Sequence, residues 1–349
     1  MWWCLDMVVA SIIFSTSSAN IFLSNIDLTD VPIESYVVQA GDNTSFPCTG
    51  TTEYSLVTEL EWRFFTKTQN IKIIEYAKGN TIVAYKQHRI SLQSKTHALN
   101  FKPIIAQDTG NYICLVNNRP RPDGVLQLIV QDRPDPPGRP LVMGFTSRYV
   151  NLSWAAPSDV HFSNVLYYVI LIRVGEKGEW NDNGNITPDN RTNYKMTGLK
   201  PYSVYSFKVI AVNEMGRSDP SQESYYIITL REIPSGNPTI ITAHNTSSSA
   251  IHVSWRPPDL DTINGEFMGY RITYKQRKKE HNASEIYIRD PDVKSHVIEN
   301  LETYTQYLVS VAVFNPEGFG PASTVLVMTD EGGEYCFKSI FISLTFYLL

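Results

Sequence analysis

Val150, Leu152 and Trp154 alternate with polar residues, and Ile251, Val253 and Trp255 do the same. A period of two sends one face of an extended strand into a core and the other into water. Phe207, Val209 and Ala211 predict a further strand of this kind, as do Val309, Val311 and Val313. Long helical periodicity is missing throughout. Many short strands with turn signals about every 8–12 residues predict an all-β chain built as tandem β-sandwiches.

Two proline-rich stretches punctuate this pattern, Arg133 to Pro140 and Ile233 to Pro238. Proline lacks the donor that a central strand needs, so neither stretch continues a sheet. They divide the chain into units at 28–132, 133–232 and 233–331, consistent with three domains in 349 residues. Short, stiff linkers of this composition place neighbouring domains end to end. The second and third units repeat each other. "VNLSWAAP" from Val150 matches "IHVSWRPP" from Ile251, an offset of 101 at Trp154 and Trp255. The offset is 102 at Leu199/Leu301, Tyr205/Tyr307, Asn213/Asn315 and Gly216/Gly318. So steady an offset marks two copies of one domain.

Composition narrows the class. Charged residues make up 19% of the chain and aromatic residues 12%, a globular rather than a disordered balance. The net charge of −5 supplies no field for gathering nucleic acid, and no nucleic-acid partner is expected. Met7 to Phe14 is a short apolar core followed by Ser17-Ser18-Ala19, which predicts a signal peptide over 1–19 and an extracellular, secreted or cell-surface location. The missing Lys or Arg before the core and the presence of Asp6 depart from that pattern, and a buried N-terminal strand is the alternative. Sequons at Asn43, Asn151, Asn190, Asn245 and Asn282 are candidate glycosylation sites; a sixth, at Asn185, is weakened by Pro188.

The second and third units resemble fibronectin type III domains. Trp154 and Trp255 match that family's core tryptophan, and Leu199 with Tyr205, like Leu301 with Tyr307, matches its L-x(5)-Y turn and tyrosine corner. In the first unit, "DTGNYIC" ends on Cys114, which by itself reads either as a buried thiol or as half of a bridge. Cys48 lies upstream, Trp62 follows it by 14 residues, and Asp108 and Tyr112 precede Cys114. This set resembles an immunoglobulin-like domain. The resemblance implies a disulfide between Cys48 and Cys114, with Trp62 packed on it and Tyr112 in the corner. It also implies extra strands after Trp62, as in variable-like sandwiches, and a structural salt bridge between Arg89 and Asp108.

Catalytic chemistry has no foothold. The seven histidines form no H-x-x-x-H pair, and G-x-S-x-G, P-loop and G-x-G-x-x-G patterns are absent. No cofactor or metal is expected. Asp259 and Asp261, and Asp290 and Asp292, read as turn formers rather than calcium ligands. "KQRKKE" from Lys275 could draw heparan sulfate weakly, although a solvated hairpin is the plainer reading. "NNRPRPDG" from Asn117 should loop between the last two strands of the first domain, making Arg119 and Arg121 candidate ligand contacts. The apolar tail, 332–349, reads as a truncation or splice end, with Cys336 unpaired.

One immunoglobulin domain followed by type III repeats resembles neural cell-surface receptor ectodomains. "RPDPPGRPLVMGFTSRYVNLSW", "SYYIITLRE" and "LETYTQYLVSVAVFNPEGFGPASTVLVMTDEG" are most like the insect receptor-type tyrosine phosphatases with a single immunoglobulin domain. Sidekick- and contactin-like adhesion molecules share the same modules. The phosphatases' H-C-x(5)-R catalytic loop has no match in this chain, so no enzyme is expected here. The resemblance implies a recognition or adhesion module. Its expected partner is a protein ligand or cell-surface protein, including a second copy of itself, in neural development or axon guidance. The alternatives are the sensing portion of a transmembrane phosphatase and a secreted decoy.

Overall fold

The computed structural model describes residues 28–332, except 29, 53–54, 67–69, 84–87, 182–183 and 279–282, together with Ile12–Ile13. Of the expected leader only that dipeptide is described. Cys336 and Asn282 lie outside the described residues. Three β-sandwiches follow one another, each around its own buried core.

The first sandwich holds β1 (Ile12–Ile13), β2 (Ile33–Gln39), β3 (Thr44–Phe46), β4 (Glu59–Phe65), β5 (Asn70–Ala77), β6 (Asn80–Val83), β7 (Ile90–Leu92), β8 (Leu99–Phe101), β9 (Gly110–Val116) and β10 (Val125–Gln131). One sheet runs β1-β2-β10-β9-β4-β5-β6, and the other β3-β8-β7. β2 joins β10 in parallel, whereas β9 pairs antiparallel with both β10 and β4. β5 and β6 occupy the interval after Trp62, which extends the larger sheet as in variable-like domains. A disulfide ties Cys48 to Cys114 across the sandwich, with Cα atoms 5.5 Å apart. Trp62 is buried against it in the same core and donates its indole N–H to the His97 carbonyl at 3.2 Å.

The second sandwich sets β11 (Leu141–Phe145), β12 (Tyr149–Ser153) and β15 (Asn193–Thr197) against β13 (Tyr167–Val174), β14 (Asn185–Ile186), β16 (Val204–Asn213), β17 (Gly216–Arg217) and β18 (Ile227–Ile228). The third sets β19 (Thr239–Ser247), β20 (Ala250–Arg256) and β23 (Ser295–Ile298) against β21 (Gly269–Gln276), β22 (Ser284–Ile288), β24 (Gln306–Asn315) and β25 (Gly318–Met328). Trp154 and Trp255 are buried, and each meets a tyrosine of the facing sheet, Tyr168 at 5.2 Å and Tyr270 at 5.1 Å between ring centroids. Such aromatic pairs add about 0.5–1.5 kcal/mol beyond area burial. The corner tyrosines also bond to backbone. The Tyr205 hydroxyl accepts from the Lys200 N–H at 2.8 Å, and that of Tyr307 from the Glu302 N–H at 2.9 Å. In the first domain the direction reverses, and the Tyr112 hydroxyl donates to the Asp108 carbonyl at 2.6 Å.

The two copies diverge at their last strand. β25 is a regular strand of 11 residues. In the second domain, Ser218, Ser221 and Ser224 take over that role at a spacing of three. Their N–H groups donate to the carbonyls of Ala211, Val209 and Phe207 at 2.8–2.9 Å. Their hydroxyls accept from the N–H groups of the same three residues at 2.9–3.0 Å. Each serine therefore satisfies both backbone groups of every second residue of β16. This lets Pro220 sit in the segment without orphaning the ladder.

The bridge closes a separation of 66 residues, which is worth about 4 kcal/mol by the loop-entropy relation. The double variant Cys48→Ala/Cys114→Ala should lose about that much. Chemical unfolding followed by intrinsic tryptophan fluorescence, compared between wild type and variant, checks it.

Candidate recognition surface

The loop between β9 and β10 is held in place before any ligand arrives. Asn117 and Asn118 take positive φ values of 50° and 55°, which turn the chain sharply as it leaves β9. The Asn117 carboxamide oxygen accepts from the Thr58 N–H at 2.9 Å, the Thr58 hydroxyl at 3.0 Å and the Glu59 N–H at 3.2 Å. Its amide donates to the Leu56 carbonyl at 2.9 Å. One side chain thus fastens this loop to the strand that carries Trp62. Asn118 adds a bond to the Glu59 carboxylate.

Arg119 stands on the rim of an open hollow of about 380 Å³ whose wall includes Glu59, Glu61, Arg63, Glu75 and Asn118. The charges are paired rather than massed. Glu61 meets Arg63 and Lys72, the latter at 3.3 Å, and Lys72 also reaches Glu75 at 3.2 Å. Glu75 holds the Lys72 ammonium above its ordinary range, with Glu61 adding to the effect. Arg119 pairs with Asp123 at 3.2 Å and stays largely exposed. Arg121 is exposed too, but it does not line the hollow, so the structure separates the two candidate contacts. A shallow surface of alternating charge suits a protein partner better than a small molecule, which needs an enclosing apolar pocket.

Arg89 and Asp108 meet end-on in a two-point ion pair, one contact being 2.6 Å. Asp108 also accepts the Ile105 N–H at 2.9 Å. The pair is mostly buried, and the Asp108 carboxylate accepts from both Arg89 and the Ile105 backbone. Asp290 accepts the Asp292 N–H at 2.9 Å, as turn residues do, whereas Asp261 pairs with Lys200 of the second domain at 3.0 Å. Among the described residues no group of three His, Cys, Asp or Glu gathers as metal donors. Lys279 and Glu280 of the basic run lie outside the described residues. Asn43, Asn151, Asn185, Asn190 and Asn245 are all exposed.

The joints between domains were not foreseen. At the end of β16, the Asn213 amide donates to the Asp132 carbonyl of the preceding linker at 2.8 Å and to the Ser163 carbonyl at 3.1 Å. Asn315, at the end of β24, repeats this with the Glu232 carbonyl at 2.7 Å and the Ile263 carbonyl at 2.8 Å. Their oxygens accept from the following turns, at Gly216 and Gly318, whose φ values are +132° and +143°. The second joint is reinforced by Arg148 and Ser147 on Glu232, and by Arg231 on Glu266 at 3.1 Å. The paired repeats "NEMG" and "NPEG" were the available signal, but sequence does not show what an asparagine side chain reaches. Two outer-face clusters were missed as well. Trp180 lies between Arg173 and Lys208 at 5.0 and 4.5 Å, and Phe319 under Arg271 at 3.7 Å.

The fibronectin type III domain model matches residues 135–226 and 236–329, and the chain belongs to that family. It is 50% identical over 94% of its length to mosPTP-1 of Aedes aegypti, whose name describes a receptor-type tyrosine-protein phosphatase, and covers 24% of that protein. It is 30% identical over 55% of its length to protein sidekick-2 of Gallus gallus, covering 10% of it. It is 31% identical over 65% of its length to the cell adhesion molecule Dscam1 of Drosophila melanogaster, covering 11% of it. The chain thus spans a quarter or less of these relatives, which their names describe as a receptor-type phosphatase, a sidekick protein and a cell adhesion molecule.

Asn315→Ala should cost about 1–3 kcal/mol by leaving one buried and one part-buried carbonyl unpaired, and should raise protease cleavage near 232–236; urea unfolding and limited proteolysis check both. Arg148, then Ser147, hold the Glu232 carboxyl below its ordinary 4.5. A depressed carboxyl stabilises the fold above its unfolded pKa, and the contribution fades as pH falls through the lower folded value. Titration of Glu232 by NMR should show a midpoint below 4.5, which Arg148→Ala moves upward.

Proposed function

We propose that this chain is an extracellular recognition module that presents the β9–β10 end of its immunoglobulin-like domain to a protein ligand at a cell surface. One observation carries the reading: an exposed, mixed-charge hollow beside a loop pinned by Asn117, on the first of three domains whose linkers are fastened by Asn213 and Asn315. The cross-sheet disulfide supports an oxidising compartment. Pinning supports recognition because a loop already ordered loses little entropy on binding. The likeness to the cell adhesion molecule Dscam1 supports an adhesion role, which we extend to neural development or axon guidance, with homophilic contact included.

The likeness to mosPTP-1 supports a second reading in the same geometry, that of the sensing ectodomain of a transmembrane phosphatase. Ligand binding here would then be relayed to a catalytic half on the same polypeptide. Weak attraction of heparan sulfate to the basic hairpin after β21 would be an auxiliary contact in either case.

Beads coated with the secreted chain test the proposal. Clustering of the beads with one another demonstrates homophilic contact, and capture on neural cells alone demonstrates a heterophilic partner. Failure of both overturns the reading. Arg119→Glu should weaken whichever binding is found by at least about tenfold, in line with a charged interfacial contact, with an unchanged melting temperature. Surface plasmon resonance on the identified partner measures it.

A further inference from the structure

The outer face of the β11–β12–β15 sheet is unusual for an edge that pairs with no further described strand. β11 is the edge strand, and its sequence Leu141-Val-Met-Gly-Phe145 contains no charge and no proline. Leu141 lies opposite Ser153 and Val142 opposite the core residue Leu152, which turns Leu141 outward. A bulge then throws Met143 outward as well. The two residues are 53% and 69% exposed. Exposed apolar edge strands invite pairing with other chains, and folded proteins guard them with charge, proline or a cover. The matching edge strand of the third domain, β19, also lacks charge and proline, but its outward row is more polar. On its matching sheet the Thr242 and Ser254 hydroxyls bond at 2.6 Å, and His244 lies against His252, leaving Ile241 as the exposed aliphatic of the edge strand.

The same face carries its own attachment point. Asn151 of "NLS" is exposed on β12, directly opposite Gly144, between Tyr149 and Ser153 on the outward side of the strand. A side chain built on Gly144 would meet nothing within 4 Å, so the space beside Asn151 is open. Across β15 lies Lys195, whose ammonium stands 4.1 Å from the Tyr149 ring centroid. The position matching Asn151 in the third domain is His252, where the outward row is already polar.

We propose that Asn151 carries an N-linked glycan whose innermost N-acetylglucosamine covers Met143 and Leu141 as a fixed part of the second domain. The inference rests on the extracellular reading above. In the secretory pathway the Asn151 amide nitrogen attacks C1 of a lipid-pyrophosphate-linked oligosaccharide. The N–C1 bond forms, the bond from C1 to the pyrophosphate oxygen breaks, the amide loses one proton, and the lipid pyrophosphate leaves. A pyranose ring has one face of C–H groups, which rests on Met143 and Leu141, and rim hydroxyls that reach Lys195 and Ser153. The floor is thereby dried, and bulky sugar blocks the β11 edge.

The full chain, secreted from a eukaryotic host that makes high-mannose glycans, decides the matter. Glycopeptide mass spectrometry after enzymatic release in heavy-oxygen water reads the occupancy of each sequon. Occupancy at Asn151 is expected. Ser153→Ala, which removes only this sequon, should lower the melting temperature of the second domain by about 4 °C and raise binding of an apolar dye. Trimming the wild type to single N-acetylglucosamine stubs should change neither. Adding Met143→Thr and Leu141→Thr to Ser153→Ala should abolish the extra dye binding. Sugar at Asn43, Asn190 and Asn245 with Asn151 bare overturns this inference and leaves the extracellular reading standing. Sugar at no sequon overturns both. An occupied Asn151 whose loss moves neither stability nor dye binding overturns the cover.

Discussion

Two carboxamides hold this chain together as more than a string of beads. Asn213 and Asn315 each sit at the end of a long central strand, nearly buried, with both ends of the amide engaged. On one side each accepts from its own following turn. On the other each donates to a carbonyl of the linker that enters its domain. The linker cannot drift without leaving a buried donor unpaired, a loss of about 1–3 kcal/mol. The ion pairs around Glu232 and Glu266 are exposed and add less. The buried amide therefore sets the joint, and the surface charges trim it.

What the sequence made legible follows from what a period of two can express. Trp255, Tyr205 and Tyr307 face inward on regular strands and Trp154 directly follows β12, and alternation plus a constant offset suffices to place them in a core. The serine segment of the second domain escaped because its period is three. Ser218, Ser221 and Ser224 look like loop residues in a stretch containing Pro220, and only the register with β16 shows each hydroxyl completing a ladder. The linker amides escaped for another reason. Their partners lie about 80 residues away in the chain, at separations of 81 and 83, and no local pattern encodes such a contact. The hollow beside Arg119 shows the same limit. The loop was legible from its prolines and glycine, whereas Glu61, Lys72 and Glu75 come together only once β4 and β5 pair.

The immunoglobulin-like domain separates its charges by purpose. Arg89 and Asp108 are withdrawn from water, and the acid is also bonded to backbone, so removing either partner would strand a buried charge. The pairs around Glu61 remain wet and exchangeable. A partner's charges can replace those contacts at modest cost, because each is already weakened by solvent. The first pair is thus buried within the domain, and the second set is partly exposed at its surface.

The two type III domains extend that division to their outer faces. Their cores match residue for residue at the tryptophans and tyrosines, because inward positions must fill one shared space. Outward positions are under no such demand, and there the copies part. The β13–β16 face of the second domain builds Arg173, Trp180 and Lys208 into a stack of cations on an indole. The β21–β24 face of the third gathers Tyr287, Phe314 and Phe319 beneath Arg271, with ring centroids 5.9–6.2 Å apart. Since the inward half of each strand is spent on the same sandwich, differences in what the two domains contact must reside on these faces and in the end loops. Duplicated domains with identical surfaces would offer one partner two equal sites. Here the faces are chemically distinct, so a partner that contacts both domains would meet each one differently.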